Sequence, residues 1–187
     1  MSSDAEHKLA NAGPLGLMGF GMTTILLNLH NVGFFPNASV VYAMGIFFGG
    51  LAQVTAGILE FAKGNTFGLT AFTSYGFFWL SLVATWVLPT LGWANAPTPD
   101  FVSCYLALWG VFTFFMFLGT FKGSRVLQFV FFSLAALFFL LAARDFTGNE
   151  EIGLIAGFVG LACGASAMYL SMAEVLHEQY GRNILPF

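Results

Sequence analysis

The run NAGPLGLMGFGMTTILLNLHN, Asn11 to Asn31, decides how this chain folds. A helix needs about 20 mostly apolar residues to cross a bilayer, and this stretch has that length. It is not a plain apolar anchor. Gly16, Gly19 and Gly21 thin one side of the helix, while Thr23, Thr24, Asn28 and His30 bring polar groups to membrane depth. Small residues let helix backbones approach, and polar groups inside a membrane face protein or a water-filled cavity. This helix is therefore expected to face other helices, and a passage among them.

The rest of the chain agrees with a membrane setting. Of 187 residues, 58% are apolar and only 8% charged, where soluble domains carry about 25% charged residues. Asp, Glu, Lys and Arg are absent from Leu9–Leu59, Gly64–Pro99, Phe101–Phe121, Val126–Ala143 and Ile152–Ala173. The first interval holds a helical pair, so the expectation is an all-α integral membrane protein of six spans. They are placed at about 14–32, 40–62, 67–88, 101–121, 126–143 and 152–176, in one domain covering 1–187. Asp4, Glu6 and Lys8 ahead of a long apolar run argue for a retained first helix, not a cleaved signal. Cys104 and Cys163 fall inside spans and read as small packing residues.

Lys and Arg set the orientation. With the N-terminus inside, the inner segments hold Lys8, Lys63, Lys122, Arg125 and Arg182, and the outer loops hold Arg144. Both termini are expected in the cytoplasm, in the cytoplasmic (inner) membrane.

A weak internal repeat runs through the chain. LEFAKGNTFGL (Leu59–Leu69) superposes on LGTFKGSRVLQ (Leu118–Gln128) at the Lys-Gly turn. Twelve residues lead from Lys63 to Tyr75, from Lys122 to Leu134 and from Lys8 to Phe20. Twelve helical residues rise about 18 Å, so the three side chains share a depth. The spacing predicts three parallel hairpin repeats around a central pore, with Phe20, Tyr75 and Leu134 as a constriction ring. In a chain with 24 phenylalanines, chance also produces such spacing.

The opening segment carries a family likeness. Asn11, Pro14, Leu15, Gly16 and Leu17, continued by MTTILLNLHN, resemble the N-terminal signature of the acetate uptake transporter family; Ala12 stands where that signature has a proline. The resemblance implies passage of small monocarboxylates, acetate chiefly and succinate as a further cargo. It also implies a Phe–Tyr–Leu constriction in helices one, three and five, matched by Phe20, Tyr75 and Leu134, and a homohexamer in membrane lipid.

The side chains available suit transport better than catalysis. His7, His30 and His177 have no metal or haem spacing, no nucleophile stands with a base and an acid, and no basic stripe invites nucleic acid. No cofactor, metal or enzymatic activity is expected. Passing a carboxylate requires donors that replace water without trapping the ion. Thr23, Thr24, Asn28, Gln53, Thr73 and the Tyr75 hydroxyl are the candidates. Against four of them stands a plainer role: the Thr23 and Thr24 hydroxyls bond back to their own helix, and Asn28 and Gln53 tie helices together. Glu60, three residues before Lys63, reads as an ion pair at the cytoplasmic edge, and Glu174, His177 and Glu178 as a solvated helix end. His30 reads as a structural or interfacial side chain. With Glu60 and Glu174 near the span edges and no acid deep in the membrane, the reading is a channel-like pathway inside each protomer. The alternatives are a proton-coupled symporter and, after it, a membrane scaffold or sensor that transports nothing.

Overall fold

The computed structural model describes residues 9–187; Lys8 and His7 lie outside the described residues. Among the described residues six long helices form the bundle: α1 (Gly13–Asn31), α2 (Ser39–Ala62), α3 (Thr66–Thr90), α4 (Pro99–Gly119), α5 (Arg125–Thr147) and α6 (Glu150–Tyr180). Five of them, α2 to α6, are long and apolar enough to cross a membrane. The glycines, threonines, Asn28 and His30 dilute α1, which is largely covered by its neighbours. The lipid-facing surface carries Leu108, Phe115, Phe132 and Phe158, as a solvent without water requires.

Helix boundaries follow local chemistry. Asn65 caps α3 by accepting from the Gly68 amide at 3.0 Å, and Ser124 caps α5 by accepting from Leu127 at 3.1 Å. The α5 and α6 ends lie beyond the expected 143 and 176. Charged residues do not stop a helix; left-handed glycines do, and Gly148 (φ 67°) and Gly181 (φ 64°) stand where these two finish. Pro89 likewise does not end α3, which runs on to Thr90. One feature of α2 was not foreseen. Phe47–Ala52 is wound as a π-helix around the Gly49–Gly50 pair. Such insertions re-aim the residues that follow them, and Gln53 is the next residue.

Glycine sets the close approaches. A Cβ on Gly19 would lie 2.5 Å from the Phe48 carbonyl of α2, and one on Gly164 2.8 Å from the Gly21 carbonyl of α1. At Gly76 of α3 it would lie 2.8 Å from the Gly50 carbonyl of α2. Thus α6, α1, α2 and α3 meet nearly backbone to backbone. α4 joins differently. It packs on α5 and reaches α3 through large rings: Phe78 stacks on Tyr105 at 5.9 Å and meets Trp109 edge-on at 5.2 Å. In the most apolar stretch of α4 only 22% of residues are buried, against 50% for α5, so α5 is central and α4 peripheral.

Candidate functional site: a cavity between α1, α2, α3, α5 and α6

A cavity of about 390 Å³ opens at the end of the bundle that carries Asn11, Lys63 and Tyr180. α1 supplies Leu17 and Phe20, α2 Gln53 and Glu60, α3 Phe72 and Tyr75, α5 Phe131 and Leu134, and α6 Glu174. Phe20, Tyr75 and Leu134 are all buried, at 6%, 3% and 3% exposure, and all line this one space. The rings of Phe20 and Tyr75 lie 6.2 Å apart. Phe131, one turn before Leu134, adds a further ring 6.1 Å from Tyr75. Its spacing of three from Leu134 already put it on the same helix face, a signal the reading from sequence passed over.

Tyr75 is held from the side away from Phe20. Its hydroxyl donates to Thr113 Oγ1 at 2.9 Å, and Thr113 donates onward to the Trp109 carbonyl at 2.7 Å. The Tyr75 proton is therefore engaged by Thr113 here, so donating to a passing carboxylate would require it to leave that partner. What the hydroxyl retains is acceptor capacity.

The polar groups gather at the mouth. Lys63 Nζ lies 3.2 Å from Glu60 Oε1, the expected pair, but Glu60 is 1% exposed and lines the cavity. Asn65 Nδ2 donates to the other Glu60 oxygen. Asn11 links both sides: its Oδ1 accepts from Lys63 at 2.9 Å, and its Nδ2 donates to Glu174 Oε2 at 3.3 Å. Asn11 Oδ1 also accepts from the Gly13 amide at 3.1 Å, so the signature asparagine shapes the turn into α1. Glu174 is not part of a solvated helix end. It is half-buried and faces the cavity, because α6 leans on α1, where Ser171 donates to the Pro14 carbonyl at 2.7 Å.

The expected binding residues separate into two groups. Gln53 lines the cavity, is 1% exposed, and its Oε1 has no protein partner. Thr23, Thr24, Asn28 and Thr73 are not in the lining. Thr23 donates to the Gly19 carbonyl at 2.7 Å and Asn28 to the Thr24 carbonyl at 2.8 Å, each spending its donor on its own helix. Asn28 also fills the space over Gly160 of α6. Thr24 and Thr73 keep unpartnered hydroxyls, Thr73 lying against Gly57 of α2. In the signature, Leu17 lines the cavity, Gly16 makes room for the Phe72 ring, Pro14 is buried and Leu15 is exposed. His30 stands apart and donates from Nδ1 to the Phe35 carbonyl at 2.7 Å.

At the opposite end a second cavity of about 520 Å³ lies among Tyr42, Trp86, Pro97 and Asp145. Arg144 Nε stands 2.8 Å from Asp145 Oδ1 beside it. The packed rings of Phe78, Trp79 and Phe138 occupy the bundle core that it shares with the first cavity.

Comparison with known proteins places this geometry. The model of the GPR1/FUN34/yaaH family matches residues 1–185. The succinate-acetate/proton symporter SatP of Escherichia coli strain K12 is 66% identical over 179 residues, covering 96% of this chain and 95% of that protein. Ammonia transport outward protein 2 of Saccharomyces cerevisiae is 37% identical over 183 residues, 92% of this chain and 64% of that one. A solved structure described as the bacterial acetate channel SatP superposes with a TM-score of 0.95 at 66% identity, over 96% of this chain and 99% of its own.

Proposed function

This chain belongs to the GPR1/FUN34/yaaH family, and from that premise we propose that it carries small monocarboxylates, chiefly acetate, through a passage inside each protomer. Succinate is a further cargo by likeness to the symporter from Escherichia coli. The observation that carries the reading is one cavity whose lining joins the polar groups of Asn11, Glu60, Asn65 and Glu174 to Phe20, Tyr75 and Leu134. A carboxylate leaving water meets the amides of Asn11 and Asn65 and, deeper, Gln53, whose Nε2 is the group able to donate to it; its unpartnered Oε1 can only accept. None of these is a buried lone cation, so binding stays weak enough for release. Beyond them the three apolar side chains form a constriction that excludes large or heavily hydrated solutes by dewetting.

The wider arrangement follows from the same premise. Phe20, Tyr75 and Leu134 sit one to each of three parallel hairpin repeats. The protein lies in the cytoplasmic membrane with both termini inside, on the distribution of Lys and Arg, so the Lys63 end is the inner mouth. Protomers assemble as hexamers, each with its own pore, in membrane lipid. No cofactor takes part.

A second reading is favoured by Glu60, Glu174 and Glu178 in the lining. An anion entering among three carboxylates is repelled unless protons accompany it, which is the behaviour of a proton-coupled symporter. One experiment separates the readings. Purified protein in liposomes is given radiolabelled acetate with and without a pH gradient. Uptake indifferent to the gradient supports the channel; uptake that follows the gradient supports symport. No flux under either condition overturns both and leaves a non-transporting scaffold or sensor.

A further inference from the structure

The chain does not run off into solvent after α6. Gly181 adopts φ 64°, a left-handed turn that reverses the backbone. Residues 182–187 then return along the helix they have just left. Two contacts hold them there. Tyr169, about three turns back along α6, donates its hydroxyl to the Pro186 carbonyl at 2.7 Å. The Phe187 ring meets the His177 imidazole edge-on, with centroids 5.9 Å apart. Phe187 also enters the lining of the Lys63-end cavity, together with Phe72, Leu127 and His177.

We propose that residues 182–187 form a strap across this mouth, and that Phe187 sets the size of the carboxylate admitted to it. The inference rests on the transport reading but concerns a different place in the path. Phe20, Tyr75 and Leu134 restrict the depth of the cavity; Phe187 restricts its rim. Asn11, Asn65 and Phe187 are the lining residues outside the six helices, and of these Phe187 alone follows α6. Two contacts set against the conformational entropy of six ordered residues leave the strap easy to displace, unlike the rings buried in the bundle. Such a wall yields to a small carboxylate and hinders one with a longer chain.

The test uses the full chain in liposomes, with acetate and butyrate as probes. Phe187→Ala is expected to raise the butyrate-to-acetate uptake ratio between about twofold and tenfold, the scale of one or two methylenes in an apolar site. Tyr169→Phe, which releases the Pro186 carbonyl, should move the ratio the same way by less. A second measurement pins the strap. In a chain whose Cys104 and Cys163 are replaced by serine, His177→Cys with Phe187→Cys should cross-link on mild oxidation and slow acetate uptake, reversibly with reductant. A wild type without acetate flux overturns the transport reading and the gate with it. A transporting wild type whose ratio ignores Phe187→Ala, and whose uptake ignores the cross-link, overturns the strap alone.

Discussion

The Tyr75 hydroxyl lies 2.9 Å from Thr113 Oγ1, a bond from α3 to the peripheral helix α4 at the level of the proposed constriction. It anchors the ring and occupies the hydroxyl proton. Tyr75→Phe keeps the ring and removes only the bond, and Thr113 still donates to Trp109. The expected loss is about 0.6 kcal/mol, the average for such bonds inside membranes, with acetate uptake nearly unchanged. Thermal unfolding in detergent and liposome uptake check both. Abolished uptake with an intact fold would instead make the hydroxyl a substrate contact.

Phe20→Ala and Leu134→Ala remove bulk from two of the three side chains proposed to form the constriction, both of which line the cavity. Each should widen the path and raise acetate flux, or admit bulkier acids. Both side chains are buried, so the truncations also cost about 2–5 kcal/mol, and flux must be compared at equal amounts of folded protein. Unchanged radiolabelled acetate uptake in both variants would count against the ring.

Gly160→Ala tests the seam between α1 and α6. A Cβ there would fall 2.2 Å from Asn28 Cγ, and Asn28 is tied to its own helix by its bond to the Thr24 carbonyl. Overpacking of this kind costs about 1–3 kcal/mol. A lowered unfolding temperature is expected. Gly33→Ala serves as the comparison: it meets no atom within 4 Å and bears only the strain of its φ of 85°.

Asn65→Ala removes two things together, the cap on the Gly68 amide and a partner of Glu60. Loss of the cap alone costs about 1 kcal/mol. Glu60 is then left to Lys63, so the total should reach about 2–3 kcal/mol. Asn65→Asp keeps an acceptor for the cap but sets a second carboxylate against Glu60. It should be no more stable than the alanine variant. An Asp variant as stable as wild type would show that Glu60 does not depend on Asn65.

What the sequence determined here is whatever depends on solvent and on spacing along one helix. Long intervals without charge leave a chain no setting but lipid. Helical rise, counted from the lysines at the turns, set the expectation of a common depth for Phe20, Tyr75 and Leu134, and the signature from Asn11 to Leu17 carried the family likeness. Depth, however, does not say which way a side chain turns. Thr23 and Asn28 share the helix of Phe20 and are spaced to share its face, yet each spends its donor on a carbonyl one turn back. That choice depends on how closely Gly49 and Gly160 bring the neighbouring helices, which no local pattern records. Glu174 was misplaced for the same reason. Its meeting with Asn11, 163 residues away in the chain, exists only because α6 lies along α1. Local sequence fixes what a helix offers; only the packing of several helices decides which of those offers face the cavity and which are spent inside the protein.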